Sequence, residues 1–249
     1  MADHPDRARI DRLWPRVGAD LDDAALVADL SSDSPVLRVN FVASVDGSAT
    51  QEGRSGGLSD DADKRYFELL RRVSDVVLVG AGTVRTEGYG ALRVSDDSVR
   101  WRVEHGLSEH PVFAIVSRSL DLDPAIVAEA PVRPILFTIQ DALIPAALAA
   151  ADVVVAGVER VEGGRILAAL AERGLETVLC EGGPHLFASL LDDDVVDELC
   201  LTVSPVLEGG DGMRITSGLA ERRGLEPVSI LRSNSTLLLR YRRARDRGY

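Results

Sequence analysis

Residues 178–190, VLCEGGPHLFASL, decide how the rest of the chain is interpreted. The first three residues are apolar and predict the end of a buried strand, after which Glu181 and two glycines follow. Pro184 then opens a predicted helix, in whose first turn the missing proline N–H is not needed. The free N–H groups at such a helix start favour an anion, typically a phosphate. An ordinary structural turn is the alternative, because a single glycine pair is a weak signal.

Composition and charge limit the kinds of molecule that the protein can bind. The chain has 249 residues, enough to bury a full hydrophobic core, and a formal net charge of −12. This charge argues against a nucleic-acid or anionic membrane surface. An anionic small-molecule substrate therefore needs a local group of cations. Lys64 is the one lysine, and the remaining basic residues are arginines, which bind phosphate in a bidentate manner.

The cysteines and histidines indicate a metal-free protein of a reducing compartment. Cys180 and Cys200 lie in apolar runs and are predicted to be buried free thiols, which suits the cytoplasm. The sequence contains no CxxC, no HExxH and no histidine cluster, so we expect no metal site. We also expect no signal peptide and no membrane span, because no apolar run is long enough.

Strand-like and helix-like segments alternate along the chain, which is typical of an α/β protein. The alternation predicts a mostly parallel sheet with helices on both faces. An antiparallel hairpin formed by residues 227–231 and 236–242 follows at the C-terminal end. The predicted strands are 36–44, 75–80, 112–117, 135–138, 153–156, 177–180 and 196–203, and the predicted helices are 59–72, 142–150, 163–173 and 184–191.

We expect one domain, residues 35–249, preceded by an N-terminal extension, residues 1–34. The extension is charged, contains a helix-like stretch at 22–30, and is expected to pack on the body or to fray. Residues 93–110 are polar and irregular and suggest an insertion or a lid.

Three glycine-bearing turns follow predicted strands: Asp46-Gly47, Gly80-Ala81-Gly82-Thr83 and Gly182-Gly183. In a parallel sheet these turns lie at the same edge and can frame one crevice. None of them fits GxGxxG or a P-loop. Two separate turns, Gly80 to Thr83 and Gly182 to Pro184, can instead hold the two phosphate regions of a dinucleotide. Because no nucleophile–base pair is evident, cofactor-dependent hydride transfer fits the residues best.

These motifs add up to a family resemblance. The patterns S-x-D-G at 44–47, G-x-G-T-V at 80–84 and E-G-G-P at 181–184 occur in order within residues 36–242. The chain thereby resembles the reductase of riboflavin biosynthesis, both the reductase half of the bifunctional deaminase–reductase and its stand-alone type. The resemblance implies a three-layer, dihydrofolate-reductase-like fold. It also implies the NADPH-dependent reduction of 5-amino-6-(5-phosphoribosylamino)uracil to the ribitylamino product.

The resemblance also implies roles for individual residues. Arg71 and Arg93 are expected to clamp the substrate phosphate, and Glu181 to hydrogen-bond the pyrimidine or the ribosyl hydroxyls. The proton that accompanies reduction is left to Glu181, Asp46 or water, so that Glu181 and Asp46 are the catalytic candidates. The predicted substrate-binding residues are Asn40, Ser55, Arg71, Arg93 and Glu181. The predicted cofactor-binding residues are Val42, Gly57, Gly80, Gly82, Thr83, Glu87, Gly182, Gly183, Pro184, His185 and Leu186.

The sequence leaves two other functions open: a dihydrofolate or pteridine reductase on the same fold, and a non-catalytic NADPH-binding relative. The resembled family is usually dimeric, so we expect a homodimer. In one arrangement the C-terminal hairpin and residues 196–203 pair across a two-fold axis. In the other, Leu237, Leu238 and Leu239 lie inside the monomer's own sheet.

Overall fold

The computed structural model describes residues 7–245, and ten strands of this part of the chain form one sheet. Their spatial order is β1-β9-β10-β8-β2-β7-β3-β4-β5-β6. In chain order the strands are β1 (Asp11–Trp14), β2 (Val36–Ser44), β3 (Val76–Gly80), β4 (Val112–Val116), β5 (Ile135–Thr138), β6 (Asp152–Val155), β7 (Thr177–Cys180), β8 (Glu198–Ser204), β9 (Leu225–Ser233) and β10 (Thr236–Arg243).

The strand directions confirm the predicted mixed sheet. All neighbours from β8 to β6 run parallel, whereas β10, β9 and β1 are added antiparallel beside β8. The parallel strands are near-continuous apolar runs because helices cover both of their faces. Asn234 lies at the hairpin tip between β9 and β10, and its φ of +49° lets the chain reverse its direction there.

Helices form a layer on each face of the sheet, as predicted. The first face carries a core built with α1, α2, α3 and α5, and α4 packs against α2. The second face carries a separate core built with α6 and α7. The helices are α1 (Asp23–Leu30), α2 (Asp61–Arg72), α3 (Ala81–Glu87), α4 (Asp96–Glu104), α5 (Ala125–Ala128), α6 (Gly163–Ala171) and α7 (Pro184–Asp192).

The part of the N-terminal segment that the structure describes packs on the first face. Ile10, Leu26 and Leu30 are buried in the same core as the side chains of α2. Arg65 of α2 binds this segment, because its guanidinium donates hydrogen bonds to the carbonyls of Ala8 and Leu21 at 2.7 and 2.9 Å. Burial of this kind orders a terminal segment that otherwise frays.

Two local predictions are wrong. Residues 93–110 are not irregular, because α4 forms there: Ser95 caps its start and the buried Arg102 donates to the carbonyls of Arg72 and Ser74 at 3.0 and 2.5 Å. Residues 142–150 do not form a full helix but only one 3₁₀ turn, Ala146–Leu148. Pro145 precedes this turn and β6 begins four residues after it, so the segment between them is too short for a longer helix.

The C-terminal hairpin is internal to the sheet. Leu237, Leu238 and Leu239 of β10 pair with β8 on one side and with β9 on the other. Strand β8 is likewise paired on both sides, by β10 and β2. Of the two arrangements that the sequence left open, the structure has the one in which these leucines lie inside the monomer's own sheet, because the backbone groups of both strands are already paired within the chain.

Both cysteines are buried and free, as predicted. Burial raises the pKa of Cys180 to about 12 and that of Cys200 to about 11, which makes both thiols unreactive. Among residues 7–245, no helix combines the length and the apolar character that a membrane crossing requires.

Candidate functional site

A cavity of about 930 Å³ opens at the carboxyl ends of the parallel strands. It is lined by Asn40, Phe41 and Val42 of β2, by Gly80 at the end of β3 and by Glu181 directly after β7. Of the three glycine-bearing turns, the two at Gly80 and at Gly182-Gly183 therefore border the cavity, whereas neither Asp46 nor Gly47 lines it. Twelve of the predicted site residues line it: Asn40, Val42, Ser55, Gly80, Gly82, Thr83, Glu87, Glu181, Gly183, Pro184, His185 and Leu186.

On one side of the cavity, the helices α3 and α7 begin next to each other. The Gly80 N–H donates to the Gly182 carbonyl at 2.8 Å, which joins the two turns. The Gly182–Gly183 peptide bond is cis, and Gly183 occupies the N-cap of α7 without a side-chain cap. A Cβ on Gly183 would lie 2.4 Å from Thr83 Oγ1. Only glycine lets the two helix starts approach this closely, with α7 presenting backbone N–H groups to the cavity.

Two further loops border this side, and sequence reasoning missed both. Ser117, Arg118 and Ser119 follow β4, and Arg160 lies in the loop after β6. Arg118 is exposed and makes no ion pair with any described residue, whereas Arg160 is bound by Asp193. The sequence did contain a signal for both loops, because each directly follows a predicted parallel strand. Loops that follow parallel strands lie at this edge of the sheet. We call the side formed by these loops and the two helix starts the cofactor side.

The opposite side of the cavity contains a buried charged network. Arg71 Nε and Nη2 donate to Glu181 Oε1 and Oε2 at 2.6 and 2.7 Å. The Tyr89 hydroxyl donates to Glu181 Oε2 at 2.8 Å. The Glu181 side chain is only 2% exposed, but it lines the cavity together with Tyr89. Both carboxylate oxygens are therefore held before any ligand binds.

The network shifts the pKa values of its members. Burial acts to lower the pKa of Arg71, but the adjacent Glu181 carboxylate outweighs it and the pKa is raised. Burial, reinforced by the negative charge of Glu181, raises the pKa of Tyr89. Both groups thus keep their protons at neutral pH, and both act as hydrogen-bond donors to Glu181. Sequence reasoning missed Tyr89, which follows the end of α3 where Gly88 turns the chain with a φ of +74°.

The helix α2 supplies the wall next to this network. Asp63, Lys64 and Phe67 line the cavity, and the Arg71 guanidinium lies 4.3 Å from the centroid of the Phe67 ring. The N-cap of α2 is Asp60, whose side chain accepts from the N–H groups of Ala62 and Asp63, so that the helix begins at Asp61 and not at residue 59, where the sequence had placed its start. We call the side formed by α2, Glu181 and Tyr89 the substrate side.

Asp63 is the second buried carboxylate of the substrate side. Its Oδ1 accepts from Thr202 Oγ1 at 2.6 Å and its Oδ2 accepts from the Ser59 hydroxyl. Burial raises the pKa of Asp63, although the two hydroxyl donors counteract part of this effect. Among the described residues, Asp63 forms no ion pair.

Asp46, one of the two predicted catalytic residues, does not line the cavity. Its exposed carboxylate accepts from the Ser44 hydroxyl and from the backbone N–H groups of Glu208 and Gly209, the latter at 2.7 Å. The Ser44 hydrogen bond, with those from Gly209 and Glu208, lowers the pKa of Asp46 to about 2. These hydrogen bonds connect the turn after β2 to the loop after β8, and they hold the Asp46 carboxylate outside the cavity.

Arg93 is also not brought to the cavity. Its exposed guanidinium donates to the Glu129 carbonyl at 2.9 Å, on the side where α5 ends. The predicted clamp of Arg71 and Arg93 on one phosphate is therefore not formed in this structure. Gly57 and Gly182 are not part of the lining. A Cβ added to Gly57 would meet the Gln51 side chain, and one added to Gly182 would meet the Phe41 ring.

The lining contains equal numbers of cationic and anionic side chains. The cations are Lys64, Arg85, Arg118 and Arg160, and the carboxylates are Asp63, Glu87, Glu159 and Glu181. No group of three or more histidine, cysteine, aspartate or glutamate side chains that could hold a metal ion is found among residues 7–245.

Comparison with known sequences gives a family match and similar proteins. The model of the RibD C-terminal domain matches residues 35–239. A "2,5-diamino-6-ribosylamino-4(3H)-pyrimidinone 5′-phosphate reductase" of Archaeoglobus fulgidus is 29% identical over 187 residues, covering 71% of this chain and 83% of that protein. A protein of the same name from Methanothermobacter thermautotrophicus is 28% identical over 201 residues, covering 78% and 88%.

Solved structures share the fold. A pyrimidine reductase-like protein of Corynebacterium diphtheriae superposes with a TM-score of 0.74 at 26% identity, over 85% of this chain and 93% of that one. The deaminase/reductase of Thermotoga maritima superposes with a TM-score of 0.64 at 23% identity, over 85% of this chain and 57% of that one. The predicted dihydrofolate-reductase-like architecture, a mostly parallel sheet with an antiparallel C-terminal hairpin, is thereby confirmed.

Proposed function

The chain belongs to the RibD C-terminal domain family, and from this premise we propose that it reduces a phosphorylated ribosylaminopyrimidine to its ribitylamino form. The observation that carries the proposal is the cavity itself, in which a buried Arg71–Glu181–Tyr89 network faces two adjoining helix starts. Related proteins of similar length bear the name of such a reductase.

The residues of the cofactor side fit a nicotinamide dinucleotide. The start of α7 offers backbone N–H groups and positive dipole charge to a pyrophosphate, and the absence of a Cβ on Gly183 keeps this cradle open. Gly183, Pro184, His185 and Leu186 would hold the dinucleotide together with Thr83. When bound, such a cofactor supplies a hydride, and the residues of the protein orient the cofactor.

We propose NADPH rather than NADH as the cofactor. The two differ by one phosphate, and the exposed Arg118 lies on the cofactor side without an ion-pair partner among residues 7–245. The exposed Ser119 lies next to it and offers a hydroxyl group to the same anion, whereas Ser117 is buried and accepts from the Leu120 N–H at 2.9 Å. An unpaired guanidinium beside a hydroxyl group favours a phosphate monoester.

On the substrate side, Glu181 is expected to orient the ribosyl portion. Arg71 and Tyr89 occupy one lone pair of Oε1 and two of Oε2, so the carboxylate keeps acceptor capacity for a substrate hydroxyl. Arg71 itself is not part of the cavity lining, and its Nε and Nη2 are used by Glu181, so we expect it to act by holding this carboxylate in place. Because Asp46 does not line the cavity and the Glu181 carboxylate accepts from both Arg71 and Tyr89, we propose that water supplies the proton.

An assay of cofactor oxidation tests the proposal directly. Folded enzyme is given NADPH with 5-amino-6-(5-phosphoribosylamino)uracil, with the corresponding 2,5-diaminopyrimidinone, or with dihydrofolate. Turnover of either pyrimidine phosphate with formation of a ribitylamino product supports the proposal. Turnover of dihydrofolate alone would assign a pteridine reductase, and NADPH binding without any turnover would indicate a non-catalytic relative.

A homodimer in the cytoplasm completes the proposal. The two buried free cysteines suit a reducing compartment. Because the C-terminal hairpin is internal to the sheet, a dimer contact must use another surface. The exposed Leu143 and Ile144 before β6 belong to one such surface. The solution mass of the full chain decides between monomer and dimer.

A further inference from the structure

The two arginines that the family resemblance assigns to the substrate phosphate are not available for it. Arg93 lies away from the cavity and donates to the Glu129 carbonyl. Arg71 is not part of the lining, and its guanidinium is bound by Glu181 and lies over the Phe67 ring. A phosphate dianion that binds to a chain with a net charge of −12 still needs a local cation. That cation must come from another residue of the lining.

Only one of the four lysine and arginine side chains in the lining belongs to the substrate side. Arg118 and Arg160 lie in the loops after β4 and β6, on the cofactor side. Arg85 is held toward that side, because its guanidinium donates to the Asp121 carbonyl in the loop after β4 at 2.8 Å. The remaining cation is Lys64, in the first turn of α2.

The Lys64 ammonium group is available to a ligand. Its side chain is 66% exposed, and its Nζ lies 3.5 Å from Asp61 Oδ1 in an i,i+3 pair. Exposed pairs of this kind are weak, so the ammonium group can exchange this partner for a ligand. A phosphate dianion is the stronger partner, because it carries twice the charge of the Asp61 carboxylate.

Ser55 adds a hydroxyl group close to Lys64 in the chain. Both residues line the cavity, and only the 3₁₀ turn Gly56–Leu58 and the first turn of α2 separate them. The Ser55 N–H donates to Glu87 Oε1 at 2.9 Å, which fixes Ser55 against the end of α3. Its hydroxyl makes no hydrogen bond to another residue within 7–245, so it can donate to a ligand oxygen.

The carboxylates of the substrate side do not occupy Lys64. Asp63 is buried, and its two oxygens accept from the hydroxyls of Ser59 and Thr202. The Glu181 charge is compensated by Arg71. Without Lys64, a phosphate on this side of the cavity would meet carboxylates and no cation of the lining, so the effect of removing this one charge is expected to be large.

The position of Lys64 suits a ligand that also reaches Glu181. Lys64 and Arg71 have the spacing i,i+7 and lie on one face of α2. With a rise of 1.5 Å per residue, their Cα atoms lie about 10 Å apart along the helix. The lysine side chain and an extended pentose phosphate together span this distance. A phosphate can therefore pair with Lys64 while the ribosyl hydroxyls reach the carboxylate that Arg71 holds.

We propose that Lys64, together with the Ser55 hydroxyl, binds the terminal phosphate of the substrate, in place of the expected clamp of Arg71 and Arg93. This inference rests on the proposed function and deepens it, because it assigns the phosphate subsite to residues of this chain. The ammonium group supplies a point charge with three donors, and the hydroxyl supplies a fourth donor. Lys64 thereby makes the enzyme select phosphorylated over unphosphorylated ligands.

Calorimetric titration of the full chain compares the ribitylaminopyrimidine product with and without its terminal phosphate. We expect the wild type to bind the phosphorylated form about 30-fold tighter or more, because the unphosphorylated form lacks the charged hydrogen bonds. In Lys64→Gln this ratio falls by about 10-fold or more, while the Kd of the unphosphorylated form stays within about 2-fold of the wild type. Lys64→Arg keeps the charge and should keep the ratio within about 3-fold.

Arg100→Gln is the matched control. Arg100 is 68% exposed, forms an i,i+3 pair with Asp97 on α4 and does not line the cavity. The substitution therefore removes one positive charge from the same kind of pair, at a distance from the ligand. Its ratio should equal that of the wild type. Glutamine is a good helix former, so both glutamine variants are expected to fold.

Several results would overturn the inference. They are a wild-type ratio below about 10-fold, an unchanged ratio in Lys64→Gln, and an equal loss of both forms in that variant. A rise in the Kd of NADPH in Lys64→Gln, as large as the rise for the phosphorylated product, would assign the lysine to the cofactor instead. A wild type that binds neither product contradicts the proposed function itself, and the inference with it.

Discussion

Arg71 and Glu181, 110 residues apart in the chain, form a two-point ion pair at the edge of the sheet, with both N···O distances below 2.8 Å. Arg71 lies in the last turn of α2 and Glu181 directly after β7. The sequence patterns assign the two residues to separate ligand groups, a phosphate and a pyrimidine or ribose. Their pairing makes them one neutral unit, which Tyr89 completes from the end of α3.

Removal of the cation from this pair is expected to destabilise the fold. Arg71→Met leaves the Glu181 carboxylate buried and uncompensated, which costs about 3–5 kcal/mol of unfolding free energy. Urea denaturation measures this loss, and the double variant with Glu181→Gln is expected to recover a large part of it. As a control, Arg165→Met breaks an exposed i,i+3 pair with Glu162 and should cost less than about 1 kcal/mol. Equal losses in Arg71→Met and the control would contradict the burial argument.

Loss of the Glu181 charge is expected to lower the activity toward the substrate and to leave the affinity for the cofactor unchanged. Glu181→Gln keeps the shape of the side chain but weakens the hold on the ribosyl hydroxyls. We expect kcat/KM for the pyrimidine phosphate to fall by about 100-fold, because charged groups that face the reacting centre contribute this much. Fluorescence titration should find the Kd of NADPH within about 3-fold of the wild type, or about 0.6 kcal/mol. Equal losses in both measurements would place Glu181 on the cofactor.

Asp46→Asn is expected to retain activity at neutral pH, in contrast to the expectation from sequence. The pKa of Asp46 is about 2 in the folded protein, against 3.8 as its ordinary value. A lowered pKa stabilises the folded state above the ordinary pKa, and this stabilisation is lost as the pH falls toward 2. The melting temperatures of the two proteins should therefore differ most above pH 4 and converge near pH 2. A folded Asp46→Asn protein that is inactive at neutral pH would return Asp46 to the catalytic machinery.

Gly183→Ala is expected to weaken cofactor binding. The added Cβ would lie 2.4 Å from Thr83 Oγ1, so the starts of α3 and α7 must move apart. Such overpacking costs about 1–3 kcal/mol, and we expect the Kd of NADPH to rise by about 10-fold. Gly164→Ala in α6 is the matched control, because no atom lies within 4 Å of its added Cβ. That control should bind NADPH normally and gain up to about 1 kcal/mol in helix stability.

Arg118→Gln is expected to change the preference between the two nicotinamide cofactors. The exposed guanidinium has no ion-pair partner among residues 7–245, so its removal breaks no ion pair of the described fold. We expect KM for NADPH to rise by about 10-fold and KM for NADH to change by less than about 2-fold, because the charged hydrogen bonds to one phosphate are lost. Arg165→Gln on α6, which is not part of the cavity lining, should change neither value. A parallel rise for both cofactors would argue against contact with the extra phosphate.

The sequence by itself determined the architecture and the edge at which the site lies. Apolar runs such as 76–79 and 177–180, each followed by a glycine-bearing turn, predict buried parallel strands, and these strands end on one side of a sheet. Such features depend on residues that are close together in the chain. The alternation, the hairpin and the helix start at Pro184 were therefore predictable from local patterns.

Only the tertiary structure decided which side chains face one another. It paired Arg71 with Glu181, added Tyr89, placed Asp63 in the cavity wall and left Arg93 and Asp46 outside it. These partners come from different elements, and their distances depend on how α2, α3 and β7 pack across the sheet. A local pattern contains no information on such distances, because side-chain pairing depends on tertiary geometry and not on propensity.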